Sequence, residues 1–517
     1  MRGSSIRRNI LFSLAGQAIL VLLSLVATHM VFRRLGAEVL GIIGFAVTVS
    51  QLLIIVSEMG ISIVVTREVA AHRSTDRAYV EDLVTSVSAL AWTAFVVASV
   101  VICVLAGWMV RHWLQLETTD RDAAAIAFGI ICVSMLLAVP RNIYGAVVSG
   151  YERMDLWNVA NVLTVGVQQL GMAILLGLGG TLIHVAAWYA LTGLFGIGAY
   201  MVLVARMVGA RSLLPIYRHA TIRRNLGFGA SLFANSLVGY LTTQADRWTI
   251  GKFLPTSVLG YYSFIQGLLG KGAIVPGAIA NAAFPALSSR VATEPRAAWL
   301  GQYQKLQDLC CYVYAPVSAA IAMLGVVVTA IVFNADVATN IALPLALLSV
   351  AQYLYGALYV PYWLAMAMRR PDLSLRANVT ALPVVVPATV ALIYFFGLTG
   401  AALSFLTYVA WHYLYFVPRF AKVCLQRSAW QWWRRTGMFF AALLVAYGVP
   451  WWLASVIGTD QVFAGLIVAY VIGTAVFVGL GWLVVGDELR GELSKAFRQL
   501  QSVLRRKELW SDPTTRP

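Results

Sequence analysis

The sequence is short of charge: Asp, Glu, Lys and Arg make up 12% of its 517 residues, against about 25% in soluble domains. Hydrophobic residues reach 60%, and apolar runs of roughly 18 or more residues recur from residue 10 to residue 485. A soluble globular chain is excluded, and an all-α polytopic membrane protein is expected. Histidine and cysteine are also scarce. His29, His72, His112, His184, His219 and His412 are scattered without metal-ligand spacing. The five cysteines, Cys103, Cys132, Cys310, Cys311 and Cys424, lie in or beside apolar segments and read as packing residues, not as disulfide partners or metal ligands. A phosphate-cradling loop is missing too: GKG at 270–272 has Ile265 where such a loop needs its first glycine, and no Ser or Thr follows the lysine. ATP hydrolysis and a metal centre are excluded, no enzyme signature remains, and no cofactor is expected.

What is present is a series of helices. Fourteen are expected, near 10–31, 40–65, 83–107, 124–148, 156–177, 181–205, 227–250, 259–287, 304–333, 337–366, 373–396, 398–418, 437–456 and 461–485. The splits at 178–182 and 397–400 rest on short glycine-containing turns. The basic start MRGSSIRRN before an apolar run imitates a signal peptide. That run exceeds the ~7–15 residues of such a segment, and a later copy of it argues that it is retained as the first helix.

Net charge is +16, but its distribution does not point to nucleic acid. With the N-terminus in the cytoplasm, 31 of the 38 Lys and Arg fall on the cytoplasmic side and five, Arg33, Arg34, Arg111, Arg121 and Lys252, on the other. Arg247 and Lys271 lie inside helices. This asymmetry places both termini in the cytoplasm and agrees with an even number of crossings. Outer loops are short, the longest near 108–123. The tail GDELRGELSKAFRQLQSVLRRKELW at 486–510 places Leu489, Leu493, Phe497, Leu500 and Leu504 on one face. It reads either as an interfacial helix on the anionic leaflet or as a solvated basic tail.

The chain repeats itself. Residues 7–41, RRNILFSLAGQAILVLLSLVATHMVFRRLGAEVLG, and 223–260, RRNLGFGASLFANSLVGYLTTQADRWTIGKFLPTSVLG, both begin RRN and end VLG. Between these anchors Ser13, Gln17, Ser24 and Thr28 match Ser231, Asn235, Thr242 and Asp246, on one helical face. His29 matches Arg247. Helices 1 and 7 therefore start parallel halves, an arrangement in which transporters place substrate near mid-depth between the halves. The stripe either lines that cavity or joins helices.

With RRN before helix 1, LGAEVLG at 35–41, Glu58-Met59-Gly60 followed by TRE at 66–68, and AAFPALS at 282–288, the chain resembles the lipid-linked oligosaccharide flippases (Wzx type) of the multidrug/oligosaccharidyl-lipid/polysaccharide exporter superfamily. The likeness runs through helices 1–12. It implies two pseudo-symmetric six-helix bundles, 1–207 and 227–421, joined by a cytoplasmic linker at 208–226. Two additional helices at 422–485 and the tail at 486–517 follow. It also implies a multi-pass protein of the bacterial cytoplasmic membrane that carries an undecaprenyl-pyrophosphate-linked oligosaccharide outward by alternating access through a cationic cavity. Expected partners are that lipid-linked substrate, membrane lipids, and a polysaccharide polymerase and other assembly proteins. Two alternatives in the same superfamily are a murein lipid-precursor flippase and an ion-coupled multidrug exporter. Murein-precursor members typically have an acidic residue in helix 1, where this chain offers Gln17, Ser24, Thr28 and His29.

Ionisable residues inside membrane helices are functional candidates by default. Lys271 lies in GLLGKGAIVPGAIANAAFPAL at 267–287, where Pro276, Pro285 and four nearby glycines predict a bent or broken helix. It either meets a pyrophosphate in the cavity or snorkels outward. Arg247 and Arg141 are further cationic candidates, with Gln17 and Asn235 on the polar stripes. Arg33 and Arg34 form an exit rim or anchor helix 1. Asp246 is an ion-coupling carboxylate or part of an outer ion pair. Glu58 couples protons or partners a cation such as Arg141.

Overall fold

A computed structural model describes residues 2–218, 233–456, 462–486, 489–491 and 494; for 2–18, 281–283, 285, 286, 454–456 and 462 the backbone alone is described. The second RRN at 223–225, Ser231, the side chain of Gln17 and most of the 486–510 tail lie outside the described residues.

The helices in order are α1 (Arg2–Leu35), α2 (Ala37–Glu58), α3 (Ile61–His72), α4 (Arg77–His112), α5 (Arg121–Leu136), α6 (Ala138–Gly150), α7 (Met154–Gly177) and α8 (Leu182–Met207). Residues 233–243 form α9. Then come α10 (Ala245–Phe253), α11 (Thr256–Gly272), α12 (Ile274–Thr293), α13 (Arg296–Val332), α14 (Ala335–Gly356), α15 (Tyr359–Ala367), α16 (Asp372–Phe420), α17 (Ala429–Leu443), α18 (Val449–Val456) and α19 (Val462–Val484). Among the described residues, extended pairing is confined to one parallel bridge between Gln115 and Pro255. Helices dominate because a chain in lipid must satisfy its backbone internally. Eleven stretches among the described residues are long and apolar enough to cross a membrane. Large apolar side chains stay uncovered on them, such as Val104 at 74% and Phe395 at 74% exposed, as lipid-facing surface requires.

The expected turns fall where backbone geometry needs them. α7 stops at Gly177 and α8 starts at Leu182, with Gly179 at φ 90° between them. α16 runs through Gly397, whose φ of 56° and ψ of −130° no helix accommodates; glycine alone takes such a conformation without steric cost. The helix carrying Lys271 is interrupted between Gly272 and Ile274, just before Pro276. Several boundaries differ from expectation: the helices read as 124–148, 227–250 and 337–366 are interrupted at Leu137, Gln244 and 357–358. The helix read as 40–65 ends at Glu58, because Met59 and Gly60 both turn left-handed, and α3 begins afresh at Ile61.

The chain divides into two compact units, residues 1–265 with 330–337 and 378–404, and residues 266–329 with 338–377 and 405–517. In the first, α4 packs on α5, α5 on α2 and α8, α1 on α7, and α3 on α6. Phe45 stacks on Phe128 in its core, both fully buried, and the Trp92 indole donates to the buried Tyr144 hydroxyl at 3.1 Å. α2 and the start of α11 approach so closely that a Cβ on Gly41 would collide with the Thr256 carbonyl, and one on Gly260 with that of Ala37. At the α3–α4 end, Glu68 accepts from Arg67 at 2.8 Å and from the Tyr79 hydroxyl at 3.0 Å. Burial pushes its pKa up, but these hydrogen bonds outweigh it and hold the carboxyl below its ordinary range.

In the second unit, Tyr303, Phe416, Phe420 and Trp432 form a buried cluster, with the Trp432 indole donating to the Tyr303 hydroxyl at 3.1 Å. Asp308, 2% exposed, receives both arms of the Arg435 guanidinium, tying α17 to α13.

Candidate functional site

The first unit contains a cavity of about 220 Å³ between α2, the α5–α6 junction, α7 and α8. Arg141 lines it from the first turn of α6. Pro140 before it costs little there, because a first-turn N–H has no helical acceptor to lose. The side chains of Gln51 from α2, Gln168 from α7 and Tyr189 from α8 line the same cavity. None of these side chains, that of Arg141 included, has a hydrogen-bond partner among the described residues. Thr164 and Thr192 also line the wall, their hydroxyls bonded back to the carbonyls of Ala160 and Trp188 at 2.8 Å. Val47, Ile54, Met135 and Leu137 supply apolar faces.

Glu58 and Arg141, expected as possible partners, make no direct ion pair among the described residues. Glu58 instead accepts from Asn142 Nδ2 at 2.6 Å and Ser62 Oγ at 3.1 Å. One helical residue turns the side chain by about 100°, so the neighbour of Arg141 reaches Glu58 while Arg141 faces the cavity.

Asp246 is 3% exposed and accepts from the Tyr262 hydroxyl and, at 2.7 Å, from the Arg247 backbone N–H. The Arg247 guanidinium points elsewhere, reaching Thr48 Oγ1 at 3.5 Å and leaving its Nε without an acceptor. Tyr240 donates to the Thr48 carbonyl at 2.5 Å. Asp246 and Arg247 are thus adjacent in sequence but committed to different partners.

The other candidates are dispersed. Asn235 on α9 accepts from Asn378 at 3.3 Å. On helix 1, Ser24 and Thr28 bond back to the carbonyls of Val21 and Ser24, and the His29 ring donates to the Val332 carbonyl at 2.7 Å. Arg33 and Arg34 are exposed in the last turn of α1. Lys271 belongs to the second unit, half-buried in the last turn of α11 with no hydrogen bond or ion pair among the described residues.

Sequence reasoning missed a third cluster, at the α1–α2 turn. Glu38, 5% exposed, accepts backbone N–H groups from Glu117, Thr118 and Thr119 at 2.5, 3.0 and 2.8 Å. The Thr118 and Thr119 hydroxyls add contacts at 2.8 and 2.6 Å. The same loop also holds the α10–α11 turn. The Trp113 indole donates to the Trp248 carbonyl at 3.0 Å, Lys252 Nζ to the His112 carbonyl at 2.7 Å, and the Thr256 N–H to the Gln115 carbonyl at 3.0 Å. Residues 112–119 therefore strap together the turns that end the two copies of the repeat.

Comparison with known proteins adds to this geometry. Residues 6–291 match the family described as polysaccharide biosynthesis protein. A putative O-antigen transporter of Shigella flexneri is 22% identical over 291 residues, covering 55% of this chain and 67% of that one. An inward-facing multidrug resistance MATE family transporter of the MOP superfamily has a TM-score of 0.66 at 13% identity, over 83% of this chain and 98% of that one. The lipid II flippase MurJ in an inward closed conformation has a TM-score of 0.63 at 11% identity, over 93% of this chain and all of that one. At such identities the solved structures speak to the fold alone, a multi-helix membrane architecture.

Proposed function

The chain belongs to the polysaccharide biosynthesis protein family, and from that membership we propose that it is a flippase for an undecaprenyl-pyrophosphate-linked oligosaccharide, the repeat unit of a surface polysaccharide or O-antigen. It resides in the bacterial cytoplasmic membrane with both termini in the cytoplasm. It moves its cargo outward by alternating access of the two halves of the repeat, through a cationic cavity.

The observation that carries this reading is the polar cavity of the first unit, where the side chains of Arg141, Gln51 and Gln168 have no hydrogen-bond partner among the described residues. Polar groups inside a membrane bundle are normally paired, because leaving them unpaired is costly. These are free to meet the oxygens of a glycan or an anion. An exporter of organic cations needs an acidic lining instead, and no carboxylate borders this cavity among the described residues. Lys271 is the proposed contact of the pyrophosphate, as a charge-assisted donor. Moving about two negative charges outward across a potential negative inside releases roughly 4–5 kcal/mol per 100 mV, so membrane potential favours the proposed direction.

Reconstitution tests the reading. Vesicles containing the purified chain and a lipid-linked oligosaccharide are treated with an impermeant glycan-modifying enzyme. Translocation should make the protected pool accessible, at a rate proportional to the amount of chain. If the protected pool persists as in protein-free vesicles, the chain is not a flippase for that lipid.

A further inference from the structure

The cavity has a charge balance and a size that a lipid pyrophosphate does not fit. Arg141 is its only charged lining residue among those described. Glu58, held by the neutral groups of Asn142 and Ser62, keeps its charge and acts on the guanidinium through space, which lowers further the negative charge the cavity can accept. One guanidinium can neutralise one negative charge. A pyrophosphate diester brings about two, so one would remain uncompensated in surroundings where unpaired charge is expensive. The volume of about 220 Å³ is also below the ~300–1,000 Å³ of sites for drug-sized ligands, which suits one ring rather than a whole repeat unit.

The remaining lining suits a sugar. Gln51, Gln168 and Tyr189 offer donors and acceptors uncommitted among the described residues, while Ile54, Met135 and Leu137 present apolar surface. A pyranose has the same division, with hydroxyls round its edge and C–H groups on its faces. A planar guanidinium pairs with a carboxylate through two parallel hydrogen bonds.

We propose that this cavity binds a carboxylated sugar, a monoanionic uronic-acid-type ring, so that the glycan carried is an acidic one. The inference rests on the flippase reading for its biological meaning, but the binding site is testable without transport. The pyrophosphate is met elsewhere, and Arg141 selects by the glycan.

Saturation-transfer NMR on the full chain in nanodiscs, with glucuronate, glucose and inorganic pyrophosphate as probes, decides the matter. Glucuronate should bind, glucose should bind at least about tenfold more weakly, and pyrophosphate should not displace glucuronate at equal concentration. Arg141→Gln should weaken glucuronate by about ten- to a hundredfold, the loss of one charge-assisted pair, and leave glucose unchanged. Glu58→Gln removes the nearby negative charge and should tighten glucuronate binding, a gain that misfolding cannot produce. Equal binding of glucose and glucuronate overturns the proposal, as does displacement by pyrophosphate or an Arg141→Gln variant that binds glucuronate normally. If glucuronate binds as expected but reconstituted vesicles show no translocation, the flippase reading fails and the sugar site stands.

Discussion

Removing the Glu38 carboxylate should release the strap at 112–119. In Glu38→Ala the backbone N–H groups of Glu117, Thr118 and Thr119 lose their acceptor together. A buried donor left without a partner costs about 1–3 kcal/mol, so three bound the loss at about 3–9 kcal/mol. Water can re-solvate a loop end, which puts the expected effect near the lower figure, about 3 kcal/mol. Amide hydrogen exchange of the chain in nanodiscs reads this directly. A loss of about 3 kcal/mol raises the opening equilibrium about a hundredfold, so the amides of 117–119 should exchange about a hundredfold faster. The amides of α7, which contribute nothing to the strap, should not change. Glu38→Gln keeps one acceptor oxygen but sets an NH₂ group against N–H donors, so it should fall between wild type and Ala. Unchanged exchange at 117–119 in Glu38→Ala would refute the reasoning, because the carboxylate would then not be what orders the loop.

Other expectations follow from the same structure. Lys271→Gln should lower translocation about ten- to a hundredfold at normal expression, one charge-assisted contact being worth about 1.5–3 kcal/mol, and Lys271→Arg should retain much of it; full activity of the Gln variant removes Lys271 from the headgroup site. Asp246→Asn should abolish any dependence of transport on an imposed ion gradient if that carboxylate couples the cycle, and equal gradient responses in both forms assign it to structure with Tyr262. Leu214→Cys, at an exposed position of the 208–218 segment in a Cys103→Ser background, should resist an impermeant thiol reagent in intact cells; labelling there reverses the proposed orientation. Glu68 has a folded pKa held below its unfolded value, so its contribution to stability is full above the unfolded pKa and disappears as pH falls through the folded one. Thermal inactivation should therefore show a stability loss on acidification that is smaller in Glu68→Gln, and identical acid profiles would contradict the assignment.

The sequence displayed the helices and many of their ends, because apolar periodicity and glycine are local signals. The turn at 178–181 and the break beside Lys271 were visible in the residues that make them. The Glu38 clasp was not. LGAEVLG stood out as a motif, but the partners of Glu38 are backbone N–H groups roughly 80 residues away, and backbone donors have no sequence signature. Gln51, Gln168 and Tyr189 were hidden for a related reason: isolated neutral polar residues in apolar helices look the same whether they pack or line a cavity. Arg141 was legible by its charge, while its relation to Glu58 depended on rotation about one helix axis.

The contact between α2 and α11 is reciprocal. Gly41 faces Thr256 while Gly260 faces Ala37, and each pair joins one copy of the VLG motif to the residue four places before the glycine of the other. A self-complementary patch of this kind is what a two-fold homodimer interface presents, residue i meeting j and j meeting i. The chain thus contains, folded into one polypeptide, the seam of a dimer with itself. A bulky side chain gained on either copy is a clash imposed on the other, so the two VLG glycines form a single steric unit and neither helix can alter its glycine alone.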